Sequence, residues 1–177
     1  MGDDFARIVV STERLRIRPF EKTDMTPRYL SWLNDPVALR HSQQRLQKQD
    51  LESCLAYHDA VMATGGAMLA ICVRDEAGDD HIGNLTLRPD IPAGTEVDIS
   101  ILIGESSRRG LGFATETWQA ICAHLFEHCG IRRVTAGTHR DNAEMLALMK
   151  RTAMRPYDAP ADFPRENVYM ALESGWA

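Results

Sequence analysis

At 177 residues the chain is long enough for one domain with a sizeable core, and 44% hydrophobic with 25% charged residues is an ordinary globular balance. A net charge of −5, with Lys and Arg scattered except at 108–109 and 132–133, argues against a nucleic-acid footprint. No apolar run approaches the ~20 residues of a membrane span, and the start, MGDDFARIVV, carries acids where a secretion signal carries bases. Ala6 stands where myristoylation requires Ser or Thr. Cys54, Cys72, Cys122 and Cys129 lie in apolar segments without C-x-x-C spacing and read as buried free thiols in a reducing compartment. The expectation is a cytoplasmic protein with no membrane or nucleic-acid partner.

Residues 1–10 offer either a short strand or a loose start. Leu15 to Phe20 alternates apolar residues with arginines and reads as a strand that Pro19 ends or places at an edge. A helix is predicted over Thr23 to Leu33, stopped by Asn34-Asp35-Pro36, and a second over Asp50 to Thr64, with Leu51, Leu55, His58 and Met62 on one face. Ala67 to Arg74 and Ile82 to Leu87 read as hairpin partners, and 88–94 as a loop. Beyond the central stretch, a helix over 111–129 buries Trp118, Ile121, Cys122, Leu125 and Cys129. Val134 to Thr138 is a strand, a helix runs from Asp141 or Asn142 to about Ala153 with Leu146 and Met149 inward, and Asn167 to Leu172 is the last strand.

The chain is organised around Thr95 to Thr115. Val97, Ile99, Ile101 and Ile103 point one way and Glu96, Asp98, Ser100 and Leu102 the other, the period of a strand ending near Gly104. Arg108, Arg109, Gly110, Gly112 and Ala114 follow, and then an amphipathic helix. Glycines let backbone approach a ligand, and the first N–H groups of a helix lack internal partners at its positive end. That combination suits phosphate. Acids on the strand just upstream are candidate general bases.

Arg108 to Ala114, ArgArgGlyLeuGlyPheAla, resembles the signature of the GNAT acyl-CoA-dependent N-acyltransferases, with Arg109, Gly112 and Ala114 at the matching positions. The resemblance extends from LRIRPF (15–20) and WLNDP (32–36) through HIGNL (81–85) to RDNAEMLALMKRTAM (140–154). It is nearest to the branch holding ribosomal-protein N-terminal and amino-sugar acetyltransferases. It implies an α/β fold in a single domain over 1–177: a mixed, mostly antiparallel sheet splayed at the strand before the glycine loop, with helices on both faces. It also implies acetyl-CoA as co-substrate, a small-molecule amine or a peptide N-terminus as acceptor, and a monomer or homodimer.

By the same resemblance, the backbone from Arg109 to Ala114, within a binding segment of Arg108, Arg109, Gly110, Leu111, Gly112, Phe113, Ala114 and Thr115, holds the pyrophosphate. Ile101 and Ile103 pair with the pantetheine arm, and Asn142 contacts the cofactor. Asn142 is equally a plain helix N-cap. Asp98 is the expected base, with Glu96 on the same face and Glu105 a weaker alternative; Glu96, Asp98 and Ser100 also read as the wet face of a strand, though a central strand covered on both faces carries three polar groups only where they line a cavity. Trp32, Arg40 and Arg45, with His41, lie where relatives build the acceptor wall, though they also read as a packed ring and surface bases. Sequences associated with surface-polysaccharide synthesis share the WLNDP-like start and the AspIleSerIleLeuIleGly-like strand, which favours an amino sugar or its nucleotide conjugate. A protein N-terminal acetyltransferase and a non-catalytic acyl-CoA-binding module are the alternatives.

The sequence departs from the family where Met145 and Met149 replace the Ser and Tyr proposed to protonate the leaving thiolate, and Ala153 replaces a Gly. His124 and His128, in an H-x-x-E-H pattern, read as a solvated helix face, and no metal is expected. A Rossmann reading fails because Thr115 occupies the third glycine position.

Overall fold

The alternating segments build a single sheet, and two pairs of helices cover it. The computed structural model describes residues 4–42, 46–75, 78–89, 94–161 and 163–175. Its strands are β1 (Val10–Ser11), β2 (Leu15–Pro19), β3 (Ala67–Asp75), β4 (Gly78–Pro89), β5 (Glu96–Ile103), β6 (Arg133–His139), β7 (Arg155–Pro156) and β8 (Asn167–Glu173). They form one sheet in the order β1-β2-β3-β4-β5-β6-β8-β7. Neighbours are antiparallel except β5 and β6, which the helix α3 (Phe113–His128) joins as a crossover. The helices α1 (Pro27–Trp32), α2 (Leu51–Ala63) and α4 (Ala143–Arg151) complete the fold.

Side-chain alternation gives the sheet two apolar faces and hence two cores. On one face α3 and α4 bring Trp118, Ile121, Leu125, Leu148 and Met149 against Leu69, Leu85, Ile99 and Val134. On the other, α1 and α2 bring Tyr29, Trp32, Cys54 and Val61 against Met68, Ala70 and Cys72. The α3 stripe buries the five residues its periodicity predicts, and all four cysteines are buried thiols outside any disulfide.

Three local readings change. The expected 23–33 helix starts only at Pro27, after a 3-10 turn at Lys22–Asp24, because a residue before proline is held extended and Thr26 becomes the cap of α1. The buried face of α2 is turned from the predicted one: Cys54 and Val61 are buried, while Leu51 and Met62 are 48% and 37% exposed. In α4 it is Leu148, rather than Leu146, that is fully buried beside Met149. Strand β7, only two residues long and containing a proline, pairs with β8 without any signal in the sequence.

What positions the site is an interruption in the sheet. The β5–β6 ladder comprises Glu96↔Arg133, Val97↔Val134 and Asp98↔Thr135, and stops there. Strand β5 continues along β4 as far as Ile103↔Gly83. From Ile99 to Ile103 the other edge of β5 has no strand beside it among the described residues, which is the predicted splay. No helix among the described residues is long and apolar enough to cross a membrane.

Candidate active site

The glycine loop is fastened to the end of β5 by its own arginine. Arg109 Nε donates to the Ile103 carbonyl at 2.9 Å, and its Nη2 donates to the Gly104 carbonyl at 2.6 Å and to Asp35 Oδ2 at 3.1 Å. Gly104 has no room for a side chain unless Trp32 shifts, since an added Cβ would lie 2.2 Å from Trp32 Cδ2. Arg108 turns the other way and donates to Asp80 at 3.2 Å, beside the Arg28–Asp80 and Arg28–Glu105 pairs.

After these anchors the backbone is open. Gly110 and Gly112 have φ of 75° and 84°, a left-handed conformation that favours glycine. Gly112 caps α3 without a side-chain hydrogen bond. From Gly110 to Thr115 no N–H meets an acceptor among the described residues. The run is shorter at its start than expected, since the Arg109 N–H already donates to the Ser106 carbonyl at 3.3 Å. Phe113 is buried and anchors the turn, with the Arg14 guanidinium 4.4 Å over its ring and Arg14 Nη1 on the Leu111 carbonyl at 3.1 Å. A row of unpaired donors at the positive end of a 16-residue helix fits a diphosphate.

The acids of β5 lie on the opposite face, and they are not equivalent. Glu96 is paired with Arg133 Nη1 at 2.8 Å, and that arginine also holds Glu173 at 2.7 Å and stacks 4.6 Å over Tyr157. Glu105 accepts from Arg28 at 2.8 Å and its acidity is strengthened by that pairing, which makes it a poor base. Asp98, at the last rung of the β5–β6 ladder, is only loosely held: Arg88 Nη1 lies 3.4 Å from Oδ1 and Thr135 Oγ1 3.5 Å from Oδ2. Desolvation pushes its carboxyl up to about 6, against the opposing pull of Arg88 and Thr135 and with the help of the Glu96 charge. A carboxylate poised near neutrality at the apex of a splayed sheet is suited to taking a proton.

Around Asp98 the same face carries Ser100, Arg88, Thr135 and the rings of Tyr57 and Tyr169. The segment after β7 folds back over β6. Phe163 covers Gly137 so closely that a Cβ there would lie 2.2 Å from its ring, and its ring centroid is 5.0 Å from that of Tyr169.

A sequence model described as an acetyltransferase (GNAT) domain matches residues 14–155. The chain belongs to the GNAT acetyltransferases. No curated protein matches it. Among solved structures it is similar to an acetyltransferase from Agrobacterium tumefaciens at 23% identity, covering 96% of each chain with a TM-score of 0.76. It is similar also to the Salmonella typhimurium enzyme that modifies the N-terminal serine of ribosomal protein L7/L12, at 16% identity over 94% and 99% of the two chains, with a TM-score of 0.75. A ribosomal L7/L12 alpha-N-protein acetyltransferase in complex with coenzyme A aligns at 15% identity over 94% and 98%, with a TM-score of 0.76. At these identities the structural likeness establishes the GNAT fold; the matching domain establishes an acyl-CoA-dependent acetyltransferase.

Against that GNAT frame the remaining predicted residues fall into place unevenly. Asn142 caps α4, accepting from the Met145 N–H at 3.2 Å and donating to Thr138 Oγ1 at 2.9 Å, so its side chain is engaged in building the fold. Trp32 is 5% exposed and packed on Gly104 at the end of β5, on His81 and on Tyr29. Arg40 reaches Glu144 on α4 at 3.1 Å, and His41 stacks on His139 at 5.7 Å, so this segment bridges to the α4 end of the site. Arg45 lies outside the described residues. Met149 is fully buried and Met145 partly so, and a thioether has no proton to give. Ala153, standing where relatives carry Gly, keeps the left-handed φ of 59° after α4 at some cost in strain. His124 and His128 form a tilted ring pair 4.9 Å apart on α3, on the side of the sheet away from Asp98.

Arg88, Tyr57 and Thr135 were missed in the sequence. Arg88 sits at the start of a stretch read as loop, although β4 runs on through Pro89, and only the register Arg88↔Asp98 brings it opposite the acid.

Proposed function

We propose that this GNAT enzyme moves the acetyl group of acetyl-CoA directly onto the primary amine of an amino sugar or its nucleotide conjugate, with Asp98 as the base. The observation that carries the reading is Asp98 itself: the one β5 acid left loosely paired, raised toward neutrality, at the apex of the splay. When bound, the cofactor supplies an activated thioester. The donors of Gly110 to Thr115 would hold its diphosphate, and the unpaired edge of Ile101 and Ile103 its amide-bearing arm.

Asp98 Oδ takes the proton the amine sheds as its nitrogen bonds to the acyl carbon. The C–S bond then breaks and the electron pair leaves on sulfur. A thiol of pKa ~8.5 departs readily as thiolate, so Met145 and Met149 at the usual acid positions need not halt the reaction. Glu96, tied to Arg133, contributes negative potential near Asp98 in place of a second proton acceptor.

The acceptor is read from the character of the face. Polar groups of Ser100, Arg88 and Thr135 beside the rings of Tyr57, Tyr169 and Phe163 match a pyranose, which offers hydroxyls at its rim and C–H groups on its faces. Phe163 over Gly137 closes the β6 end of this face, which favours a compact acceptor over an extended peptide. The L7/L12-modifying neighbours make peptide N-termini the second reading. Mass spectrometry after incubation with acetyl-CoA and two acceptor pools, amino-sugar nucleotides and peptides with free N-termini, separates them. One acetyl added to a sugar nucleotide supports the reading, acetylation of peptides alone removes it, and cofactor binding without turnover on any amine leaves a binding module.

A further inference from the structure

Arg88 is an arginine whose charge the fold does not fully use. Every other arginine–carboxylate pair whose two side chains are both less than half exposed closes to 3.2 Å or less among the described residues, as in Arg18–Asp24 at 2.7 Å and Arg133–Glu173 at 2.7 Å. Arg88 stands 3.4 Å from Asp98 through one nitrogen, with the two side chains 40% and 36% exposed. It is nonetheless held in place: Nη1 reaches Ser100 Oγ at 3.3 Å, Nη2 donates to the Tyr57 hydroxyl, and the guanidinium carbon sits 5.9 Å from the Tyr57 ring centre. Its Nε–H and second Nη2–H meet no acceptor among the described residues. An oriented planar fork with donors to spare, next to the reacting base, is what oxyanion recognition requires.

We infer that Arg88 is the acceptor-specificity residue of this site: it binds an oxyanion, phosphate or carboxylate, carried beside the acceptor amine, and on binding it gives up Asp98. The inference rests on the acceptor reading above and sharpens it to an anionic acceptor. Charge bookkeeping gives the reason. Once Asp98 has taken a proton, Arg88 is left a cation without a counter-charge on a partly desolvated face, and an oxyanion on the acceptor supplies one. Before that step, withdrawing the guanidinium from Asp98 makes the carboxylate a stronger base, so the base is freed only when the right acceptor is seated. The other groups facing Asp98 are Glu96 on its own strand, Thr135 and the Glu96-paired Arg133 on β6, and Tyr169 on β8. None of these is a cation free to move.

The test has an arm that needs no turnover. Asp98 is titrated by NMR in carboxyl-labelled, CoA-saturated protein, its signal assigned by loss in Asp98→Asn, with inorganic phosphate, acetate or chloride added. The midpoint is expected to rise with phosphate or with acetate and not with chloride, and Arg88→Gln is expected to start about one pH unit higher and ignore all three. A response to phosphate alone names a phosphate ester as acceptor, and to acetate alone a carboxylate. A wild-type midpoint indifferent to both overturns the inference.

In the turnover arm, an amino-sugar phosphate is compared with the neutral methyl glycoside of the same sugar. Arg88→Gln should lower kcat/KM for the anionic acceptor at least about tenfold and change the neutral one much less. Equal losses on both would make Arg88 a structural residue. If wild-type protein acetylates neither sugar, the amino-sugar reading falls while the titration still decides Arg88.

Discussion

Asp98→Asn removes the titrating group and keeps its shape. With the carboxyl of the free enzyme at about 6, against an ordinary 3.8, wild-type kcat/KM for the acceptor should lose about tenfold, beyond the acceptor's own ionisation, for each pH unit below that point. At a pH one unit below its midpoint, only about one-tenth of the enzyme carries the base in its working form. The asparagine variant should lose this limb and turn over about 10²- to 10⁴-fold more slowly at neutral pH. An acceptor amine of pKa near 8 adds a limb of its own, but that limb belongs to the substrate and persists in the variant.

Stability should move the other way. Between the ordinary carboxylate range and about 6, the folded chain holds a proton that the unfolded chain has released, so stability falls as pH rises through that window. Asp98→Asn lacks this loss, and its Tm relative to wild type should climb from acid to neutral pH. Thiol release monitored across the pH range, with thermal melts at the same pH values, reads both. Turnover within about threefold of wild type, or survival in the variant of the limb near 6, would refute Asp98 as the base.

Other perturbations follow from the anchors of the loop. Gly104→Ala drives a methyl group into the Trp32 ring, and overpacking of that kind costs about 1–3 kcal/mol, seen as a lower midpoint in denaturant. At Gly112 the two effects separate: Gly112→Ala has room, with Arg14 Nη2 at 3.5 Å, and costs about 1 kcal/mol of strain, whereas Gly112→Glu also places a carboxylate at the anion site and should abolish acetyl-CoA binding in calorimetry. Arg109→Ala frees the Ile103 and Gly104 carbonyls and Asp35 together, and should raise KM for acetyl-CoA with faster amide exchange at residues 104–112.

Much of this was written in local pattern. The alternation of Glu96 to Ile103 placed the acids on one face and the isoleucines on the other, and the α3 stripe named its buried residues, because each signal repeats over several residues. On α2 the pattern misled: apolar residues lie on more than one side, so Leu51, Leu55 and Met62 formed as regular a stripe as Cys54 and Val61, and only packing against Met68 and Ala70 chose between them. The loop's glycines were legible; the inward turn of the Arg109 side chain was not, since its acceptors at Ile103, Gly104 and Asp35 belong to segments up to 74 positions away. Arg88 could be found only through strand register, a relation between two segments that neither contains alone.

The end of the β5–β6 ladder at Asp98 and Thr135 has a mechanical consequence. Two strands that share a ladder and then diverge form a wedge, and when the wedge breathes, displacement grows with distance from its closed corner. Asp98 stands at that corner, where any opening would move atoms least, while the gap is widest at the Ile103 end, next to the glycine loop. A wedge of this kind would admit a bulky co-substrate at its open end while Asp98, the proposed proton acceptor, stayed nearly still. A group whose reach must be accurate to a fraction of an ångström has been set on the pivot, and the tolerant, multi-point contacts on the swinging arms.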